Sequence, residues 1–395
     1  MIELLAPAGD LERVKIALYY GADAVYSGGS SFNLRANAKN LTKEELEEAV
    51  NYVHEKKKKI YITVNIVFHD NNFEGLDEYL QFLEQIKIDG IIASDIAVIK
   101  RVKELGLNIP LCLSTQASTL NARAVRFWQS LGVTRVVLAR EASRENIKRI
   151  KEETGIEIET FIHGAMCTSF SGKCVLSNYI TNRDSNRGGC AQICRWHFQV
   201  DDQADLTITP KDLNMIPFIQ DEIEIGVDSF KVEGRMRSIY YVATVILCYR
   251  RLIDGIMNKT LKENEHKYYL AILNRCANRE STPQFYDKLP TKEEQYYQER
   301  EELSNQDFLG LVIDYDQERK LVKLEQRNYF KKDDIVQFFG PSIETFTYKI
   351  NKILNEDGEE IDVARHPQQI VYLPIEPLPK FTMMRLKTFD KRDFL

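Results

Sequence analysis

Four of the seven cysteines fall within the stretch "CTSFSGKCVLSNYITNRDSNRGGCAQIC", Cys167 to Cys194, at the spacing C-x6-C-x15-C-x3-C. Thiols gathered this closely form disulfides, ligate zinc, hold an iron–sulfur cluster or carry out redox chemistry. Structural zinc sites usually pair cysteines two to four residues apart so that each pair makes one knuckle, a habit only Cys190 and Cys194 follow. A looser four-thiolate set suits an iron–sulfur cluster at least as well, because thiolates are the ligands such clusters require. The neighbouring "CAQICRWH" approaches a three-cysteine radical-enzyme spacing but carries His197 where the third cysteine would stand. Cys112, Cys248 and Cys276 each sit inside a strand-like or helix-like stretch and read as small buried hydrophobes.

The start, "MIELLAPAGDLERVK", has no basic leader followed by an apolar run, and no apolar stretch of membrane-spanning length occurs after it. A soluble, cytoplasmic protein without a membrane partner is expected. In a reducing compartment clustered cysteines favour metal or redox roles over disulfides. The net charge of -6 disfavours a generally basic nucleic-acid binder, yet residues 161–200 carry Lys173, Arg183, Arg187 and Arg195 against Asp184 alone. Positive charge is therefore concentrated around the cysteines.

The elements that must position these residues alternate. Short β-branched runs such as "IELLAP", "DAVYSG" and "KIYITVN" are each followed by an amphipathic segment, and the series reaches a seventh strand, "IEIETFIHG", and an eighth, "DSFKVEG". Eight such units predict a TIM-like (β/α)8 barrel over residues 1–255, with the cysteine-bearing insertion at 163–200 and a helix over "PKDLNMIPFIQ". Residues 256–304 read as a helical linker. From 305 to 395, runs such as "FLGLVIDYD", "KLVKLEQ" and "DIVQFFG" predict a small antiparallel β-barrel.

Barrel enzymes build their sites at the C-terminal ends of the strands. The residues expected there are Arg35, Asn37, Asn65, Gln116, Arg140, Glu141, His163, Lys231, Glu233 and Arg235. Three arginines aimed at one mouth suit a small anion with more than one carboxylate, since guanidinium forks bind carboxylates bidentately. His163, four residues before Cys167, reads either as a proton donor or as a histidine that holds the loop. Glu233 reads as a catalytic carboxylate or as the partner of Lys231 in a buried ion pair. "HEKKK" lacks the second histidine of a zinc-protease helix, "GGSSF" lacks the closing glycine of a nucleophile elbow, and neither a P-loop nor a Rossmann fingerprint occurs.

The strings "LLAPAGDLERVKIALYYGADAVYSGG", "FNLRANAKN", "FIHGAMCTSFSGKCVLSN", "NRGGCAQICRW" and "SFKVEGRMRS" resemble the collagenase-like, or U-32, peptidase family over essentially the whole barrel, and the likeness extends to the C-terminal domain. Despite that label, well-understood members resemble oxygen-independent RNA and ubiquinone hydroxylation proteins. The chain is most similar to the tRNA hydroxylation protein P group and too short for the extra domain of relatives that modify ribosomal RNA. The resemblance implies a [4Fe-4S] cluster on Cys167, Cys174, Cys190 and Cys194, prephenate as hydroxyl donor, and tRNA as substrate, made into 5-hydroxyuridine at the wobble position; by their place at the barrel mouth, Arg35, Asn37, Gln116, Arg140 and Arg235 are the residues expected to hold such a donor. A second family member acting as a subunit is a further expectation. Two other readings compete: a peptidase acting on collagen-like chains, for which no activated nucleophile or metal-bound water arrangement is recognisable, and a zinc-bearing RNA-binding partner protein.

Overall fold

The computed structural model describes residues 2–34, 40–200, 204–277, 279–296 and 306–394. Eight parallel strands close into a barrel: β1 Glu3–Pro7, β2 Ala24–Ser27, β3 Lys59–Val64, β4 Gly90–Ala93, β5 Leu111–Leu113, β6 Arg135–Val137, β7 Glu157–Gly164 and, after an added strand β8 Asp212–Asn214, β9 Ser229–Val232. Closure comes from β9, which pairs with β1 (Lys231 beside Leu5) and with β7 (Phe230 beside Thr160). The strands are almost continuously buried, as a parallel sheet covered by helices requires.

Helices α1 Leu11–Tyr19, α2 Lys43–Glu55, α3 Leu76–Gln85, α4 Ile96–Glu104, α5 Ala122–Ser130 and α6 Arg144–Thr154 alternate with the first seven strands. Their ends are written locally. Thr42 and Glu45 form a reciprocal capping box on α2, Ser143 caps α6, and Gly155 ends α6 at φ 61°, a left-handed conformation glycine adopts without steric cost.

The barrel interior holds an ionic lattice. Arg135 on β6 contacts Glu3 at 2.5 Å and Glu159 at 3.3 Å, while Lys231 on β9 contacts Glu159 at 2.7 Å. Tyr61 and Ser229 donate their hydroxyls to Glu3 at 3.0 and 2.9 Å. Two acids thus lie between two bases with their remaining acceptor sites engaged, the condition under which buried charge is tolerated.

At eight residues β7 is the longest barrel strand, and its end carries β8, antiparallel, with Leu213 beside Gly164 and Asn214 beside His163. The sequence predicted a helix over Pro210–Gln220. β8 occupies its first half, with Met215 N–H donating to the Ile162 carbonyl at 2.9 Å, while its second half is helical: a 3-10 turn over Ile216–Phe218 leads directly into α8 Ile219–Ile225. The projecting end of β7 offers backbone groups that must be paired, and that demand outweighs local helical periodicity.

The chain divides into two compact units. The first comprises residues 1–18, 22–242 and 279–301; the second comprises 19–21, 243–278 and 302–395. Helix α9 Ile239–Met257 begins in the first unit and continues in the second, which also holds α10 Glu265–Cys276. The second unit is built on an eight-stranded antiparallel sheet in the order 343–349, 335–340, 383–386, 308–316, 321–326, 370–373, 353–354, 360–361. Val312, Val322, Leu324, Phe330, Phe338 and Met384 fill its core. Among the described residues, no helix is long and apolar enough to cross a membrane.

Candidate functional site

Between β7 and β8 the chain folds into a tight sequence of turns, at Phe170–Gly172, Ser185–Arg187 and Ile193–Arg195, around one short helix, α7 Leu176–Thr181. Little of it is held by regular pairing, so side chains fix it. Asn186 Nδ2 donates to the Cys174 carbonyl at 2.9 Å, and the Ser185 hydroxyl donates to the same oxygen. Thr209 donates to the Cys194 carbonyl at 2.7 Å. Glu141, beyond β6, accepts from Ser171 N–H at 2.6 Å and from its hydroxyl at 3.1 Å. Arg195 reaches the carbonyls of Met166 at 2.5 Å and Pro210 at 3.0 Å, clasping both ends of the segment. Of the four basic residues in this region, Arg195 is therefore spent on the loop itself.

All four cysteines of the segment line one cavity of about 160 Å³ at the barrel mouth, together with Tyr26, Asn65, Gln116, Arg140, Lys231, Glu233 and Arg235. Cys167 and Cys190 are exposed, Cys174 and Cys194 half-buried, and none is in a disulfide. Leu176 N–H points at Cys174 Sγ and Gln192 N–H at Cys190 Sγ, each at 3.4 Å. Burial pushes the Cys194 thiol up, the nearby Arg195 pulls it down, and the other three thiols raise it further. Four thiolates in one place repel, and a cationic inorganic centre among them removes the conflict. Among the described residues, no three His, Cys, Asp or Glu side chains close around a point as they would for a single metal ion. Cysteine sulfurs are the donors an iron–sulfur cluster takes, and four of them lining one cavity fit that group in type and number. The other three cysteines are buried, and burial pushes the Cys112 and Cys248 thiols up to about 12.

The cations of the mouth differ in what holds them. Arg140 sits over the Phe161 ring, its Cζ 3.9 Å from the centroid, with Glu233 at 3.7 Å. Arg235 is buried and held by the side-chain oxygens of Asn33 at 2.8 Å, Thr63 at 3.0 Å and Asn40 at 3.0 Å. The expected ion pair between Glu233 and Lys231 is not the one formed: Lys231 goes to Glu159, and Glu233 accepts from the Tyr26 hydroxyl at 3.3 Å. Along β9, alternate residues point to opposite faces, and a bulge between Lys231 and Val232 re-aims the residues beyond it.

His163 is 2% exposed, its ring 5.9 Å from that of Tyr241, and it is not among the described residues that line the cavity. Burial and the charge of Arg237 push its pKa down to about 3, so the imidazole is neutral. Arg35 and Asn37 lie outside the described residues. Sequence reasoning missed Tyr26, Thr63 and Phe161, whose signal was only their place on inward-facing strand positions, and it missed the pairing of Glu141 with Ser171.

The profile of Peptidase family U32 matches residues 9–296 and that of the Peptidase family U32 C-terminal domain matches residues 304–385. The chain is 47% identical to tRNA hydroxylation protein P1 of Bacillus subtilis, over 95% of this chain and 92% of that one. It is 30% identical to tRNA hydroxylation protein P of Escherichia coli, over 94% and 93%. It is also 37% identical to a collagenase of Porphyromonas gingivalis, over 66% and 67%. The chain belongs to peptidase family U32.

Proposed function

We propose that this U32-family chain is an oxygen-independent tRNA hydroxylation enzyme that makes 5-hydroxyuridine at wobble uridine, with an iron–sulfur cluster on Cys167, Cys174, Cys190 and Cys194 and prephenate as the hydroxyl donor. One observation carries it: the four thiols open into the same cavity as Arg140, Gln116, Lys231, Glu233 and Arg235. A cluster bound there supplies a redox or Lewis-acid centre next to the organic substrates. The relatives named for tRNA hydroxylation, similar over nearly their full length, supply the substrate class.

The chain's own residues have separable tasks. Arg140, seated over Phe161, presents its fork to a carboxylate of the donor. Arg235, fixed by three side-chain oxygens, adds positive charge that does not move when the ligand enters. Glu233, placed by Tyr26 and Arg140, is the carboxylate within reach of a substrate proton. Lys231 is neutralised by Glu159 and shapes the floor. His163 is a positioning residue: buried and neutral, it stands at the point where β7 meets both β8 and β9.

The test is nucleoside mass spectrometry of bulk tRNA from a strain lacking every such relative, with this chain re-expressed. Restored 5-hydroxyuridine is expected. If it returns only when a second family member is co-expressed, the chain works as one subunit of a pair. If it stays absent while the purified protein cleaves a labelled collagen peptide, the hydroxylation reading fails and the peptidase label stands.

A further inference from the structure

Helix α7 is turned inside out. Its buried residue is Ser177, whose hydroxyl accepts from Ala191 N–H at 3.0 Å and whose carbonyl accepts from the Thr181 hydroxyl at 2.8 Å. Its bulky side chains face solvent instead: Tyr179 is 84% exposed and Ile180 48%. Val175, one helical turn before Tyr179, is exposed as well, and so are Phe170 and Trp196 on the flanking turns. Five of the fourteen large hydrophobic side chains that stand exposed among the described residues thus fall between residues 170 and 196. A chain that folds to bury apolar surface leaves such a concentration outward only where something covers it.

The surroundings say what covers it. Lys173 and Arg183 are exposed on the same segment, and the acid there, Asp184, turns its carboxylate onto Asn186 N–H at 2.9 Å. Lys173 and Val175 flank Cys174, so the patch borders the cavity that the cysteines line. Aromatic faces interleaved with solvated cations are the composition that holds unpaired nucleic acid: bases stack on the rings and phosphates meet the charges. A protein partner would need no such run of positive charge. Resting on the tRNA reading above, we infer that the exposed rings of Tyr179 and Trp196, together with that of Phe170, form a base-stacking platform. Lys173 and Arg183 bind the phosphates, and the platform holds the unpaired anticodon loop next to the cavity.

The experiment measures binding of a synthetic tRNA anticodon stem-loop with an unmodified wobble uridine to the full-length protein, purified without oxygen, by fluorescence anisotropy across a salt series. Tyr179→Ala and Trp196→Ala should each weaken binding about tenfold with no change in salt dependence, and Tyr179→Phe should retain it. Lys173→Ala and Arg183→Ala should instead flatten the slope of log affinity against log salt by about 0.7 each. Each variant's circular dichroism and its restoration of 5-hydroxyuridine in the deletion strain are read alongside. Unchanged RNA affinity in both aromatic-to-alanine variants, while the wild-type chain still restores 5-hydroxyuridine, overturns the platform and leaves the substrate reading intact. Unchanged RNA affinity together with a shift from oligomer to monomer in Tyr179→Ala overturns it in favour of a protein interface. Failure of the wild-type chain to restore the nucleoside even when a second family member is co-expressed overturns the substrate reading itself, and the platform with it.

Discussion

Inside the barrel, Glu3, Arg135, Glu159 and Lys231 pair with one another, and each side chain is at most 10% exposed. In the segment from Cys167 to Trp196 the reactive groups are instead open: two thiols are exposed, two half-buried, and aromatic side chains stand in solvent. Both regions look equally suggestive as residue types in a barrel. The difference is closure. A charged group whose partners are all supplied by the fold has been used by the fold, whereas side chains that line a shared cavity can still meet a ligand.

The sharpest way to break this contrast is at the cysteines. Cys174→Ser should abolish the iron and sulfide content of protein purified without oxygen, and tRNA hydroxylation with it, whereas Cys248→Ser should leave both unchanged. Zinc at one equivalent with no iron in the parent protein would turn the site into a structural metal centre.

The interior lattice should respond oppositely. Glu159→Ala leaves Lys231 and Arg135 short of a buried partner, at a cost of about 3–5 kcal/mol in urea unfolding. A loss below about 1 kcal/mol would show that the lattice is more hydrated than its burial implies.

Arg140→Ala sits between the two regions. It should weaken prephenate binding by about 2 kcal/mol, measured calorimetrically, with folding nearly unaffected. Unchanged affinity would move the donor elsewhere in the mouth. Ser185→Ala, which removes one donor from the Cys174 carbonyl, should cost about 1 kcal/mol of stability and slow cluster assembly rather than prevent it.

The smallest effect near neutrality belongs to His163. Its folded pKa, about 3, lies below the ordinary histidine value, so below about pH 6.5 the unfolded chain takes up a proton the native state refuses. Stability should therefore fall as pH drops from about 6.5 towards 3, by up to about 1.4 kcal/mol per unit, and His163→Gln should remove that slope relative to the parent. An identical slope in both would place the acid sensitivity in other groups.

Most of the fold was legible because its signals are local. The parallel strands are short buried runs between amphipathic helices with polar caps, and each pattern is complete within a dozen residues. The misses have two causes. The first half of the helix expected over Pro210–Gln220 gave way to β8 because the end of β7, about 50 residues away in sequence, needed a backbone partner. Strand Met383–Leu386, central in the C-terminal sheet, was not recognised because its methionines lack the β-branched signature. The cysteines announced the site by their density, and Gln116, Arg140, Glu233 and Arg235 by their place at strand ends.

The amino-acid sequence by itself determined the alternation of strand and helix, the separation of a cysteine-bearing segment from the rest, and the gathering of four thiols within it, since these depend on residue identity and short-range periodicity. Only the tertiary structure decided which charges are spent. Lys231 found Glu159 and Glu233 found Tyr26 and Arg140, Arg195 went to two carbonyls of its own loop, and His163 was buried behind the cavity. Partner choice among buried charges depends on angstrom-scale distances between strands far apart in sequence, because electrostatic energy in a low-dielectric interior changes steeply with separation.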